Sequence, residues 1–145
     1  MIRGAVMPAI VIAIGNPMRR DDGVAHHVQI TPGVETRTVL QLTPEMAAEI
    51  APYSTVIFVD ADLNAKQVRM EPVDSAHAPS ALTHVSRPAE IVATARALFG
   101  FSGRAYTCHI PVSDLSTGEG ISGGTKRLAR QAGVEIDNLL AGTIK

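Results

Sequence analysis

The sequence predicts an α/β domain of three layers, in which a mostly parallel, twisted central sheet lies between helices on both of its faces. Two segments, 9–14 (AIVIAI) and 55–59 (TVIFV), are apolar apart from Thr55 and rich in β-branched side chains, as in strands that are buried on both faces. Strand-like and helix-like segments alternate along the chain, which favours parallel pairing. The 145 residues, 46% of them hydrophobic, correspond to a single domain spanning 1–145 with a sizeable core.

Five segments have the character of strands. The first and third are the two apolar runs, and the second alternates between Val, Thr and charged residues, as a half-buried strand does. The fourth also alternates, and we expect it at an edge of the sheet. The predicted ranges are 9–14, 34–40, 55–59, 67–73 and 104–112.

Four helices are predicted between and after these strands. The second has Thr43 as its N-cap and Pro44 at its first position, and the last has Gly133 just past its end, where a left-handed cap residue fits. The residues from 134 onward carry no clear signal. The predicted helical ranges are 23–30, 43–51, 86–98 and 125–131.

Composition excludes several classes of partner. The net charge is −1 without a basic stripe, aromatics make up only 3%, and Trp is absent, so neither nucleic acid nor an anionic membrane surface is expected. The apolar run 9–14 is too short to span a bilayer. The single cysteine, Cys108, cannot form an internal disulfide, and we expect a cytoplasmic protein.

Acidic residues follow both apolar strands. The first strand leads through a Gly-Asn-Pro turn to Asp21 and Asp22, and the second ends at Asp60, with Asp62 close behind. In an open parallel sheet, ligands bind beyond the carboxyl ends of the strands. His84, in a polar loop before a helix, opens at the same edge. Two carboxylates and an imidazole suit a borderline divalent ion such as nickel or zinc.

Each of these residues also has a simpler interpretation. Asp21 or Asp22 can cap a helix, Asp60 can accept hydrogen bonds from loop amides, and His84 can be an ordinary exposed histidine. His26, four residues after Asp22, competes with His84 as a third ligand if the two share one helix face.

Other arrangements of reactive residues are less suitable. Cys108 and His109 are adjacent in a predicted strand, so their side chains face opposite sides and cannot form a dyad, and Cys108 is expected in the core. The turn after the first strand lacks the glycines of a dinucleotide site, and the later Gly-rich segment, 118–124, lacks the Lys-Ser/Thr order of a phosphate loop. No nucleotide is therefore expected.

Four ordered blocks together resemble the endopeptidases that mature nickel–iron hydrogenases. Residues 12–25 (IAIGNPMRRDDGVA) are similar to the family's first strand, loop and acidic turn, and 56–62 (VIFVDAD) to its second strand with a terminal acid. Residues 83–100 (THVSRPAEIVATARALFG) resemble its histidine loop and following helix, and 118–122 the segment before its last helix.

The resemblance implies an enzyme that removes a C-terminal extension from a hydrogenase large-subunit precursor after nickel has been inserted. By motif, Asp22, Asp60 and His84 are the metal-binding and catalytic positions, although the first of these is often Glu in the family. The metal is then the nickel of the substrate. Such enzymes are metal-dependent but are often classed as aspartic-type.

The resemblance leaves two matters open. Gly15, Asn16 and Thr43 are expected to contact the substrate. Residues 41–45 stand where many members of the family have a motif that contains Gly-Thr, so the resemblance does not define the cognate hydrogenase. The alternative function is a non-catalytic α/β module that binds a metal or a nucleotide.

Overall fold

A five-stranded sheet with the order β2-β1-β3-β5-β4 organises the computed structural model, which describes residues 9–73, 87–113, 115–118 and 120–144. Strands β1, β2, β3 and β5 are parallel, and β4 pairs with β5 in the antiparallel direction. The predicted α/β class with a mostly parallel sheet is therefore confirmed. The strands are β1 (Ala9–Ile14), β2 (Glu35–Val39), β3 (Thr55–Asp62), β4 (Arg69–Pro72) and β5 (Arg104–Pro111).

Helices cover both faces of the sheet, as the three-layer prediction requires. Side chains of β1 and β3 alternate between the two faces, so each face has its own apolar cluster. One cluster joins Phe58 to α1 and α2, and the other joins Ile57 to α3 and a 3₁₀ helix. The helices are the 3₁₀ helix (Arg20–His27), α1 (Met46–Ile50), α2 (Pro88–Leu98) and α3 (Gly123–Ile144). Within the described ranges, no helix combines the length and the apolar character that a membrane crossing requires.

The strands occur close to their predicted positions, with two differences. The third strand continues to Asp62 instead of ending at Val59, because its ladder with β5 extends to the pair Asp62–Pro111. Strand β2 was predicted to be half-buried, but it lies at an edge of the sheet and is largely exposed. The predicted edge strand is confirmed as β4.

The helix predictions were wrong in three places. The first helix is a 3₁₀ helix that starts earlier than predicted, at Arg20, and ends at His27. Helix α1 begins at Met46 and not at Thr43, because the preceding residues form a turn in which the Met46 amide bonds to the Thr43 carbonyl. Helix α2 agrees with the prediction over Pro88–Leu98, and the Arg87 amide donates to Glu90 Oε1 at 2.9 Å across its first turn.

The last helix shows the largest difference, since it runs for 22 residues through the glycine that was predicted to end it. Ala132, Ile136 and Leu140 are buried at helical spacing along this segment. Gly133 lies inside the helix, where an added Cβ would come within 2.9 Å of the Gln29 carbonyl oxygen. The glycine therefore permits close packing of α3 against the segment after the 3₁₀ helix.

Candidate functional site

Asp22 is held at the carboxyl end of β1 by the turn that follows the strand. Its Oδ2 accepts a hydrogen bond of 2.9 Å from the Asn16 amide. Gly15 has a φ of +147°, and an added Cβ would lie 1.9 Å from the Asp22 carbonyl oxygen, so only glycine allows this approach. Gly15 and Asn16 therefore set the position of Asp22.

Asp21 has a different environment although it is the next residue. Its side chain is fully buried, and its carboxylate accepts bonds from the Ser122 amide at 2.9 Å and from Thr125 Oγ1 at 2.9 Å. Longer bonds come from Ser122 Oγ at 3.3 Å and from the Ser113 amide at 3.4 Å. The negative charge lies at the N-terminal end of α3, where a helix favours an anion. Asp21 therefore anchors α3 and not the 3₁₀ helix in which it lies.

Asp60 lies near the carboxyl end of β3, on the face shared with Phe58. Burial raises the pKa of its carboxyl group from 3.8 to about 7, although a hydrogen bond from the Ala61 amide opposes the shift. The negative charges of Asp22 and Asp62 raise the pKa further. Asp22 and Asp60 thus act on each other electrostatically, as expected for two acids at the ends of the neighbouring strands β1 and β3.

A cleft of about 510 Å³ opens beside Asp60. Thr107 and His109 of β5 form its floor with Asp60, and the start of α2 forms one wall with Arg87 and Pro88. The edge strand β4 also lines the cleft, with Glu71 and Pro72. The predicted histidine loop directly precedes Arg87 in the sequence, so the cleft lies beside the point at which the chain leaves that segment.

His109 is a polar residue of the cleft that was not predicted as part of the site. It pairs with Asp60 across the ladder of β3 and β5. Its Nδ1 lies 3.1 Å from Asp62 Oδ2 and its Nε2 lies 3.0 Å from Glu71 Oε1. No local pattern indicates these contacts, because they depend on which strands are neighbours. The predicted separation from Cys108 is confirmed, since Cys108 is buried on the other face and burial raises its thiol pKa to about 12.

The structure brings together part of the predicted site. Asp22 and Asp60 share the carboxyl edge, and Gly15 and Asn16 lie in the turn that holds Asp22. Thr43 follows β2 at the same edge, and its hydroxyl bonds to the Glu45 carboxylate, lowering the pKa of Glu45.

The third predicted ligand, His84, lies outside the described residues. Its rival His26 is on the 3₁₀ helix, and its buried Nε2 has no hydrogen-bond partner among the described residues. With about three residues per turn, however, His26 is displaced from Asp22 by about 120° around the helix axis. The side chains of Asp22 and His26 are therefore not expected on one face of the helix. His26 was an alternative to His84 as the third ligand only if it shared that face.

The paired acids fit a cation as ligand. Burial leaves the charge of Asp60 poorly solvated and close to that of Asp22, and a divalent ion between carboxylates would compensate both. In the part of the chain that the structure describes, no three Asp, Glu, His or Cys side chains converge to hold a metal by themselves. A complete site at this edge therefore needs a further ligand, either from the segment that contains His84 or from a substrate.

A second cleft, of about 540 Å³, lies on the other face between β5 and α3. Its lining includes Ser113, Ser122 and Thr125, which already donate hydrogen bonds to Asp21. These three polar residues thus have a structural partner, whereas Asp60 in the smaller cleft is under-compensated. We therefore place the candidate site at Asp22 and Asp60.

The fold and the candidate site together define a class: an α/β protein with a mostly parallel sheet and acidic residues at the carboxyl edge of that sheet. No protein-family model matches the chain, and no curated protein matches it in sequence. Among solved structures, the hydrogenase maturating endopeptidase HybD from E. coli superposes with a TM-score of 0.73 at 13% identity, covering 94% of each chain.

Two further structures extend this likeness. The [NiFe] hydrogenase maturation protease HycI from Thermococcus kodakarensis KOD1 gives a TM-score of 0.67 at 19% identity over 95% of each chain. HybD from Thermococcus kodakarensis gives 0.59 at 20% identity, covering 93% of this chain and 99% of that one. The chain thus has the fold of the hydrogenase maturation endopeptidases, and the sequence resemblance to them is confirmed at the level of the fold.

Proposed function

We propose that the protein is an endopeptidase that removes the C-terminal extension of a nickel–iron hydrogenase large-subunit precursor after nickel insertion. The observation that carries this proposal is the pair Asp22 and Asp60, two mutually repelling carboxylates at the carboxyl edge of a sheet with the fold of such enzymes. The same edge is where open parallel sheets bind ligands.

In this proposal, Asp22 and Asp60 bind the nickel that the precursor already carries, together with His84 from the segment before α2. The Asn16 amide orients Asp22 through its 2.9 Å hydrogen bond, and the Ala61 amide bonds to the Asp60 carboxylate. Gly15 and Asn16 line the approach to the scissile bond. The ion supplies a Lewis acid that polarises the peptide carbonyl or activates water for its hydrolysis.

The surroundings of the site support a protein as substrate. Three large apolar side chains at this edge are exposed to solvent: Met18 after β1, Leu40 after β2 and Leu63 after β3. These side chains are available to contact a protein partner at this edge of the sheet. A large-subunit precursor would cover them while its extension occupies the cleft beside Asp60.

The test is a processing assay with nickel-loaded precursor, in which mass spectrometry measures the loss of the extension. Asp22→Ala and His84→Ala are expected to abolish cleavage while thermal unfolding shows an intact fold. His77→Ala is the matched control, since His77 lies in the same segment of the sequence and is not a proposed ligand. Unimpaired cleavage by either of the first two variants would contradict the assignment.

The competing function is a non-catalytic metal- or nucleotide-binding module. Such a protein would leave the nickel-loaded precursor uncut at any concentration of the wild-type chain. A nucleotide binder would also show a rise in unfolding temperature with nucleotides and none with divalent metal.

A further inference from the structure

A third carboxylate, Asp62, lies beside the proposed site. Asp60 and Asp62 are two residues apart on β3, so their side chains project from the same face of the sheet. The charge of Asp62 also contributes to the raised pKa of Asp60, which shows that the two groups are close enough to interact. Asp62 is thus the further carboxylate on this face of β3 that interacts with the proposed site.

Both oxygens of Asp62 are held by other groups. Oδ1 accepts a hydrogen bond of 2.8 Å from the Asn64 amide, and Oδ2 lies 3.1 Å from His109 Nδ1. The other ring nitrogen of His109 lies 3.0 Å from Glu71 Oε1, and Arg69 bonds to the second Glu71 oxygen at 2.9 Å. The imidazole, with 19% of its side chain exposed, is thus held between two carboxylates, one at each ring nitrogen.

We propose that His109 is a positioning residue that keeps Asp62 turned away from Asp22 and Asp60, so that the site presents two carboxylates instead of three. This inference rests on the proposed function, in which the metal arrives with the substrate. A site with an additional carboxylate binds free divalent ions more tightly, because affinity rises with the number of charged ligands. With Asp62 held by His109, the free protease binds a free ion weakly and leaves room for the ligands that the precursor brings.

A purely structural role is the rival explanation. The contact between His109 and Glu71 joins the edge strand β4 to β5, and the pair could serve only to hold that strand. The two roles depend on different ring nitrogens. The positioning role requires the donor at Nδ1, which faces Asp62, whereas the strand contact requires the donor at Nε2, which faces Glu71.

Two substitutions test the contributions of these two ring nitrogens separately. The amide nitrogen of Asn can replace the Nδ1 donor, and the longer side chain of Gln can replace the Nε2 donor. We expect His109→Gln to release Asp62 and to tighten the binding of Ni²⁺ to the metal-free protease by about tenfold or more, as measured by calorimetric titration. His109→Asn should retain an affinity within about twofold of the wild type.

The double variant Asp62→Asn/His109→Gln tests the cause. If the released carboxylate is responsible, removing it returns the Ni²⁺ affinity to the wild-type value. If the double variant still binds tightly, or if His109→Gln binds as weakly as the wild type, the proposal is wrong. An equal tightening by Asn and Gln would also overturn it.

The single variant Asp62→Asn keeps the proposal testable if the His109 variants fail to fold. It should leave the Ni²⁺ affinity unchanged, and a loss as large as that of Asp22→Ala would show that Asp62 is itself a ligand. These titrations use only the free protease. A failure of the wild type to process nickel-loaded precursor would therefore refute the proposed function separately, without altering the result for His109.

Discussion

Asp21 and Asp60 are acids with restricted access to water at the same end of the sheet, but their surroundings differ. Asp21 accepts hydrogen bonds from two hydroxyls and two amides at the start of α3. Asp60 has the Ala61 amide and two neighbouring negative charges, and its pKa is raised to about 7. A compensated buried charge stabilises a fold, whereas an under-compensated one stores free energy that a bound cation can recover. The comparison thus assigns a structural role to Asp21 and supports the binding role proposed for Asp60.

Among the substitutions that distinguish the role of Asp60 from that of Asp21, we expect the largest effect on enzymatic activity. Asp60→Asn should reduce precursor processing by about 10²–10³-fold or more, because it removes a charge placed at the reacting centre. The reaction is followed by mass spectrometry of the released extension. Asp137→Asn, on the exposed side of α3, is the control and should process normally. Near-normal processing by Asp60→Asn would contradict the functional role proposed for Asp60.

Asp21→Asn should act on stability. The amide retains one acceptor oxygen but loses the charge that pairs with the α3 N-terminus, and we expect the free energy of unfolding to fall by about 2–4 kcal/mol. Denaturant unfolding measures this loss. A decrease of less than about 1 kcal/mol would show that the hydrogen bonds around Asp21 contribute little net stability.

The pKa of Asp60 predicts a pH dependence of stability in the metal-free protein. Because its pKa rises from the ordinary value of 3.8 to about 7 in the fold, the native state holds an extra proton between these values. Stability from this group is fully present below about pH 4 and is lost as the pH rises toward 7, by up to about 1.4 kcal/mol per pH unit.

Asp60→Asn should remove this component, so the difference between the unfolding free energies of variant and wild type should grow from pH 4 to 7 and then level off. Denaturant unfolding at a series of pH values measures this difference. Parallel pH profiles for the two proteins would contradict the assigned pKa.

The smallest expected effects are on stability and come from substitutions at two glycines of α3. They test how closely this helix packs against the rest of the protein. Gly133→Ala should destabilise the protein by about 1–2 kcal/mol, because the new methyl group meets the Gln29 carbonyl oxygen and the strain outweighs the better helix propensity. Gly142→Ala meets no atom of the described residues within 4 Å and should stabilise the protein by a few tenths of a kcal/mol. Equal responses at the two sites, measured by thermal unfolding, would mean that α3 does not pack closely at Gly133.

Local sequence patterns predicted most of the sheet because the two central strands are continuous apolar runs. They did not predict the length of α3, since a glycine that serves close packing has the same local pattern as a glycine that ends a helix. The first helix was predicted without its 3₁₀ character, because an eight-residue helical segment is too short for its sequence period to separate the two helix types.

The candidate site was predictable where strand ends determine it. Asp22 and Asp60 follow adjacent buried strands, so their shared edge could be inferred from the order of apolar runs and acids alone. The role of Asp21 and the contacts of His109 could not, because both depend on partners about 40 to 100 residues away in the chain. The position of His84 remains a prediction from its motif.

The most direct test of the account is to offer the wild-type protease two forms of one precursor, with and without nickel, under identical conditions. If Asp22 and Asp60 act by binding the substrate's metal, the extension is removed from the nickel-loaded form alone, and the nickel-free form stays intact. Equal cleavage of both forms would show that the paired acids act without the metal, and it would contradict the proposed role of this site.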